Sequence, residues 1–117
     1  MRNRNLRICH YNELTDPGSY SFSFDIENEA LGGFLVRQGE KLSAYINCCP
    51  HTGVELDWQP NQFLDVRGEF IQCSLHGALF RIDDGLCVHG PCLGQSLQAL
   101  DTVIESGYVC LVQERVE

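Results

Sequence analysis

The chain has 117 residues, 44% hydrophobic and 21% charged, which suits one folded domain rather than two domains or a disordered tail. Its formal net charge of −8 would be repelled by a phosphate backbone, which argues against nucleic acid as a partner. Met1 to His10 is polar and Arg-rich with no apolar core of a signal peptide, and no run approaches the ~18 apolar residues that span a bilayer; the expected setting is cytoplasmic, with no membrane partner.

Short β-rich runs alternate with Gly, Pro, Asn and Asp along the chain. Leu6 to Tyr11 reads as a first strand. Ser21 to Ile26 alternates serine with phenylalanine and then aspartate with isoleucine, the period of a half-buried strand. Phe34 to Arg37 and Leu42 to Ile46 flank Gln38-Gly39-Glu40-Lys41, a hairpin turn. The stretch from Val54 to Gly68 is the least regular and reads as a loop with room for a short helical turn. Glu69 to Gln72 and Ala78 to Ile82 form the next pair, followed by a turn at Asp83-Asp84-Gly85. Leu93 to Ala99 is ambiguous. Thr102 to Glu105 and Tyr108 to Gln113 flank Ser106-Gly107 as a final hairpin. No long stretch carries a 3.6-residue period, so the pattern predicts mostly antiparallel β structure.

Seven cysteines stand in the chain: Cys9, Cys48, Cys49, Cys73, Cys87, Cys92 and Cys110. An odd number cannot all pair within one chain, and without an export signal metal or redox chemistry is favoured over a disulfide framework. Two segments concentrate that chemistry, Cys49-Pro50-His51-Thr52-Gly53 and Cys73-Ser74-Leu75-His76-Gly77. Each offers one thiol and one imidazole, follows a strand and ends in glycine. They are too far apart for one continuous loop, so two hairpin loops would have to meet through the fold and grip one object from both sides. Two cysteines and two histidines also suit tetrahedral zinc, but structural zinc sites pair ligands of one kind in each knuckle, and here each knuckle mixes them.

C-x-H followed by C-x₂-H, each trailed by glycine, resembles the Rieske iron–sulfur family, most closely from Ile46 to Pro91. The resemblance implies an all-β fold, an antiparallel β sandwich with a small cluster-binding subdomain of two loops. It implies a single domain over residues 1–117, with that subdomain at about 46–91. It further implies one [2Fe–2S] cluster per chain. Cys49 and Cys73 would hold the inner iron and His51 and His76 the outer one, nearer solvent. Neutral imidazoles in place of two thiolates raise the reduction potential above that of an all-cysteine cluster.

High-potential respiratory members carry a serine two residues after the last histidine, a tyrosine four after it, and a disulfide bracing the ligand loops. The matching positions here are Ala78 and Phe80 for the hydroxyls, and Val54 and Ser74 for the disulfide. The resemblance is therefore to the ferredoxin and oxygenase branch, with a potential on the order of −150 mV. An oxygenase α subunit needs a large further domain, for which these residues leave no room. The implied role is a one-electron carrier between a flavin-dependent reductase and a terminal oxygenase, without catalysis of its own. The rivals are a small non-catalytic subunit of a larger, nitrite-reductase-like enzyme, and a zinc-binding interaction module.

Gly90-Pro91 falls where the family places a loop over the cluster, and would shield it from water. Cys87 and Cys92 flank that loop, either as a disulfide or redox pair or as two small packed thiols. Cys48 is expected in the core because strand alternation would point it away from Cys49, and Cys9 and Cys110 are expected there too. His10 and His89 read as structural or exposed, Trp58 and Phe63 as packing residues, and Asp83 and Asp84 as turn residues.

Overall fold

In the computed structural model, residues 4–26, 28–50, 53, 55–57, 61–73 and 77–113 are described, without the side chains of Arg4, Ile26 and Gln113. They form ten strands: β1 Arg4–His10, β2 Gly18–Ile26, β3 Glu29–Gln38, β4 Lys41–Ile46, β5 Phe70–Gln72, β6 Leu79–Arg81, β7 Cys87–His89, β8 Ala99–Leu100, β9 Thr102–Glu105 and β10 Tyr108–Gln113. A single 3-10 turn, Tyr11–Glu13, follows β1, with His10 Nδ1 accepting from the Asn12 amide at 3.2 Å. Pairing is antiparallel throughout, in three sheets of order β1-β10-β9, β2-β3-β4-β8 and β5-β6-β7. Among the described residues no helix is long and apolar enough to cross a membrane.

The middle sheet carries apolar residues on both faces. Along β3, Phe34 and Val36 join a core with Tyr45, Ile71 and Phe80, while the intervening Leu35 joins a second core with Ala44, Cys9 and Val109. Alternation along one strand thus sends neighbours into different layers. On the first face, Phe34 pairs in register with Tyr45 of β4, and its ring stacks on Phe63 at 4.2 Å and 8°. That core lies against the sheet β5-β6-β7, and the second lies against β1 and β10.

The strand expectations hold in kind and differ in extent. β9 and β10 match residue for residue, and β4 begins one residue early. The first strand ends at His10 because Tyr11 opens the 3-10 turn. β2 and β3 are longer than expected, joined by a tight turn in which Asn28 has φ 69°. The ambiguous stretch 93–99 contributes turns and the first residue of β8. No helical turn is found among the described residues between 54 and 68; Leu64 instead bridges to Ile71.

Among the described residues, Tyr45 is the one large polar side chain at the centre of this core, and its hydroxyl donates to the Ile82 carbonyl at 2.6 Å. Burial, above all other influences, raises its pKa and keeps it a donor. Tyr45→Phe removes the donor and leaves a buried carbonyl unpaired, so it is expected to cost about 1–3 kcal/mol, read as a lower denaturant midpoint. An unchanged midpoint would show that the Ile82 carbonyl finds another donor.

Candidate metal centre

The two Cys/His segments extend from strands that the middle and third sheets hold in place. The first loop leaves β4 at Ile46. The Asn47 amide donates to the Gly32 carbonyl at 2.9 Å. The Asn47 side chain then ties the far end of the loop: its Oδ1 accepts from the Leu56 amide at 2.8 Å, and its Nδ2 donates to Asp57 Oδ1 at 3.0 Å. One asparagine therefore closes a span of ten residues around Cys49. Sequence reasoning missed this role, although an asparagine directly after a strand is a recognisable loop-closing signal.

The second loop sits at the tip of the hairpin made by β5 and β6. The Cys73 amide donates to the Ala78 carbonyl at 2.9 Å, one step beyond the Gln72–Leu79 pair of the ladder. Phe63 anchors its entry, accepting from the Gln72 amide at 2.8 Å.

The two loops share a local geometry. The amide of Gly53 donates to the carbonyl of Cys49 at 2.7 Å, and the amide of Gly77 to the carbonyl of Cys73 at 3.0 Å. Both glycines have positive φ, 79° and 70°. A side chain would be strained in that conformation, so glycine four residues after each cysteine lets the loop curl back on itself. Cys49 and Cys73 are each 2% exposed and belong to the same apolar core as Phe63 and Phe80. His51 and His76 lie outside the described residues, as do Thr52, Val54, Trp58, Ser74 and Leu75.

A third segment closes against the second loop. Gly90, with φ 108°, approaches Ala78 so closely that a Cβ there would lie 2.8 Å from the Ala78 Cα. Only glycine allows that contact. The turn that follows is held by hydrogen bonds from Leu93 to Gly90 at 3.2 Å and from Gln95 to Cys92 at 2.8 Å. Cys92 points inward beside Cys49; burial first, then Cys87 and Cys49, push its thiol up to about 12.

The model of the Rieske [2Fe-2S] domain matches residues 5–106. The chain belongs to the Rieske [2Fe–2S] domain family. A Rieske domain binds one [2Fe–2S] cluster. No curated protein matches the sequence. Among solved structures, the Rieske chain is similar to the ferredoxin of carbazole 1,9a-dioxygenase from Nocardioides aromaticivorans IC177, at 22% identity and a TM-score of 0.71, over 94% of this chain and 98% of that one. It is similar to the Sphingomonas yanoikuyae B1 ferredoxin, at 23% identity and a TM-score of 0.70, over 95% of this chain and all (100%) of that one. It also resembles a chain in a complex of reduced oxygenase and oxidized ferredoxin in carbazole 1,9a-dioxygenase, at 18% identity and a TM-score of 0.71, with 97% of each chain covered. At these identities the likeness establishes the all-β fold.

The described residues of the two Cys/His segments are compatible with a [2Fe–2S] cluster. Two buried sulfurs, presented by loops of matching curl within one apolar core, are of the donor type that a sulfur-ligated iron would take. Ala78 and Phe80, both buried, bring no hydroxyl toward that core. One expectation is corrected. Cys48 is exposed, not in the core, because β4 has already ended at Ile46 and strand alternation no longer governs its direction. Cys9 and Cys110 are buried in β1 and β10 as expected; burial, then Glu13, pushes Cys9 up to about 11, and burial, then Glu105, raises Cys110. Phe63 is a packing residue with no exposed surface (0%). Asp84 pairs with Arg81 at the surface, and His89 is exposed.

Proposed function

We propose that this chain is a cytoplasmic one-electron carrier, taking an electron from a flavin-dependent reductase and passing it to a terminal oxygenase. In this reading Cys49 and Cys73 bind the inner iron of the cluster, and His51 and His76 bind the outer iron. Residues 46–91 form the cluster-binding part of a single domain. The observation that carries the proposal is the burial of Cys49 and Cys73 in one core by two loops of the same geometry. The end-to-end likeness to free-standing ferredoxins supports the carrier role.

The cluster, when bound, supplies reversible uptake of one electron. The chain's residues set the conditions. Buried thiolates at Cys49 and Cys73 keep the inner ligands out of water. The close fit of Gly90 on Ala78 limits solvent entry beside the second loop. Without hydroxyl donors at Ala78 and Phe80, the reduced form gains no extra hydrogen bonds there, which keeps the potential near the low end of the family range, about −150 mV.

The purified protein is expected to take up one electron per chain from dithionite and then show a rhombic EPR signal with an average g below that of all-cysteine clusters. It is then expected to be reoxidised by a Rieske oxygenase. His76→Cys is expected to lower the potential from about −150 mV toward the about −400 mV of all-cysteine ferredoxins. A colourless protein with one zinc and no acid-labile sulfide would overturn the assignment. An unchanged potential in a cluster-bearing His76→Cys variant would remove His76 from the ligand set.

A further inference from the structure

Cys87 and Cys92 stand at the two ends of the covering turn. Cys87 opens β7, and Cys92 follows Gly90-Pro91. Their sulfurs are 3.2 Å apart, with the Cys92 thiol directed at the Cys87 sulfur and the Cys87 thiol at the His89 carbonyl, 3.3 Å away. Both are buried, and no bond joins the two sulfurs in this structure. The backbone already brings their ends together: the Gly94 amide donates to the Cys87 carbonyl at 3.1 Å, and the Cys87 amide to the Gln95 carbonyl at 2.8 Å. A disulfide needs sulfurs about 2.05 Å apart, so closure asks for about 1 Å of movement from an arrangement already set up for it.

We propose that Cys87 and Cys92 form a reversible dithiol–disulfide pair that staples the covering turn in place while the cluster is bound. The oxidant is a low-molecular-weight disulfide. Cys87 attacks one of its sulfurs, breaking the external S–S bond and releasing one thiol. Cys92 then attacks the Cys87 sulfur of the mixed disulfide and releases the second thiol. Two cysteine S–H groups are lost, one S–S bond forms, and the external disulfide is reduced to two thiols. Because both sulfurs are buried, the turn must part before the first attack. Its exposed residues, Val88 and Leu93 at 38% and 67%, are where it lifts. Once closed, the bond fixes Gly90 against Ala78 and limits further parting. The inference depends on this sulfur pair and not on the identity of any electron-transfer partner.

The test starts from cluster-loaded protein incubated with oxidised glutathione, then denatured and alkylated. Of the seven cysteines of the sequence, Cys87 and Cys92 are expected both to lose their labels, and fragmentation should place the bond between them. Dithiothreitol should restore both labels, and the visible absorbance of the cluster should persist throughout. Amide exchange from Val88 to Gly94 should slow on oxidation. On oxidation Cys92→Ser should stop at the glutathione mixed disulfide of Cys87, and Cys87→Ser should form neither that adduct nor the intramolecular bond. Seven labelled cysteines after oxidation of the unaltered chain would overturn the proposal. So would a bond to any other cysteine, or one that forms only in step with loss of the cluster.

Discussion

Cys73→Ser is expected to leave the protein colourless, with essentially all iron and acid-labile sulfide lost. The thiolate is the species that binds iron, and a serine hydroxyl ionises far less readily and is a harder, shorter donor. Cys73 is also the residue on which the second loop is built. Its amide and carbonyl bond to Ala78 and Gly77, and these backbone contacts do not depend on the side chain. The variant therefore isolates the sulfur from the loop. Cys110→Ser is the matched control, since Cys110 is as buried as Cys73, 2% exposed in each case, but sits in β10 in the outer sheet. It should keep its visible spectrum. Full cluster absorbance in Cys73→Ser would remove this residue from the ligand set.

Phe63→Ala is expected to give the largest loss of stability without touching a ligand. The ring is fully buried and stacked on Phe34, and the Phe63 carbonyl holds the Gln72 amide, one residue before Cys73. Truncating a buried phenylalanine costs about 3–5 kcal/mol, against a total of about 5–15 kcal/mol for a domain. Denaturant unfolding followed by both fluorescence and visible absorbance should show both midpoints falling together. Phe63→Leu, which keeps most of the apolar volume, should cost less than about 1.5 kcal/mol. A loss below about 1 kcal/mol for Phe63→Ala would mean that the 61–73 segment closes over the gap and does not depend on the stack.

The residues with a clear two-residue period were readable directly. Thr102–Glu105 and Tyr108–Gln113 were readable as short β-rich runs on either side of the Ser106-Gly107 turn. The expected strand begins at Phe34, whereas β3 runs from Glu29 to Gln38 and takes in Gly32-Gly33. In the fold, Gly33 lies under the Phe22 ring, where a Cβ would be 2.7 Å from Phe22 Cζ, so the glycine serves packing within a strand. β7 was passed over because the four residues between Gly85 and Gly90 carry no period; its pairing with β6 is irregular, the register shifting between Leu79 and Phe80. Motif spacing singles out Cys49 and Cys73, and both are found in one core. The misreading of Cys48 came from extending a strand two residues too far. The contact between Cys87 and Cys92 was left open because six residues of sequence do not reveal how tightly a turn closes.

The two-sided character of β3 also bears on how the chain avoids misalignment. A slip of one residue in a β ladder turns every side chain to the opposite face. In β3 that would exchange Phe34 and Val36 with Leu35, putting a bulky ring where Ala44 and Val109 now leave space for a leucine. It would also withdraw the ring that Phe63 stacks on. Two independent volumes thus check one alignment, and single-residue insertions or deletions within 29–38 should be tolerated far less well than in the Gly39-Glu40 turn beside it.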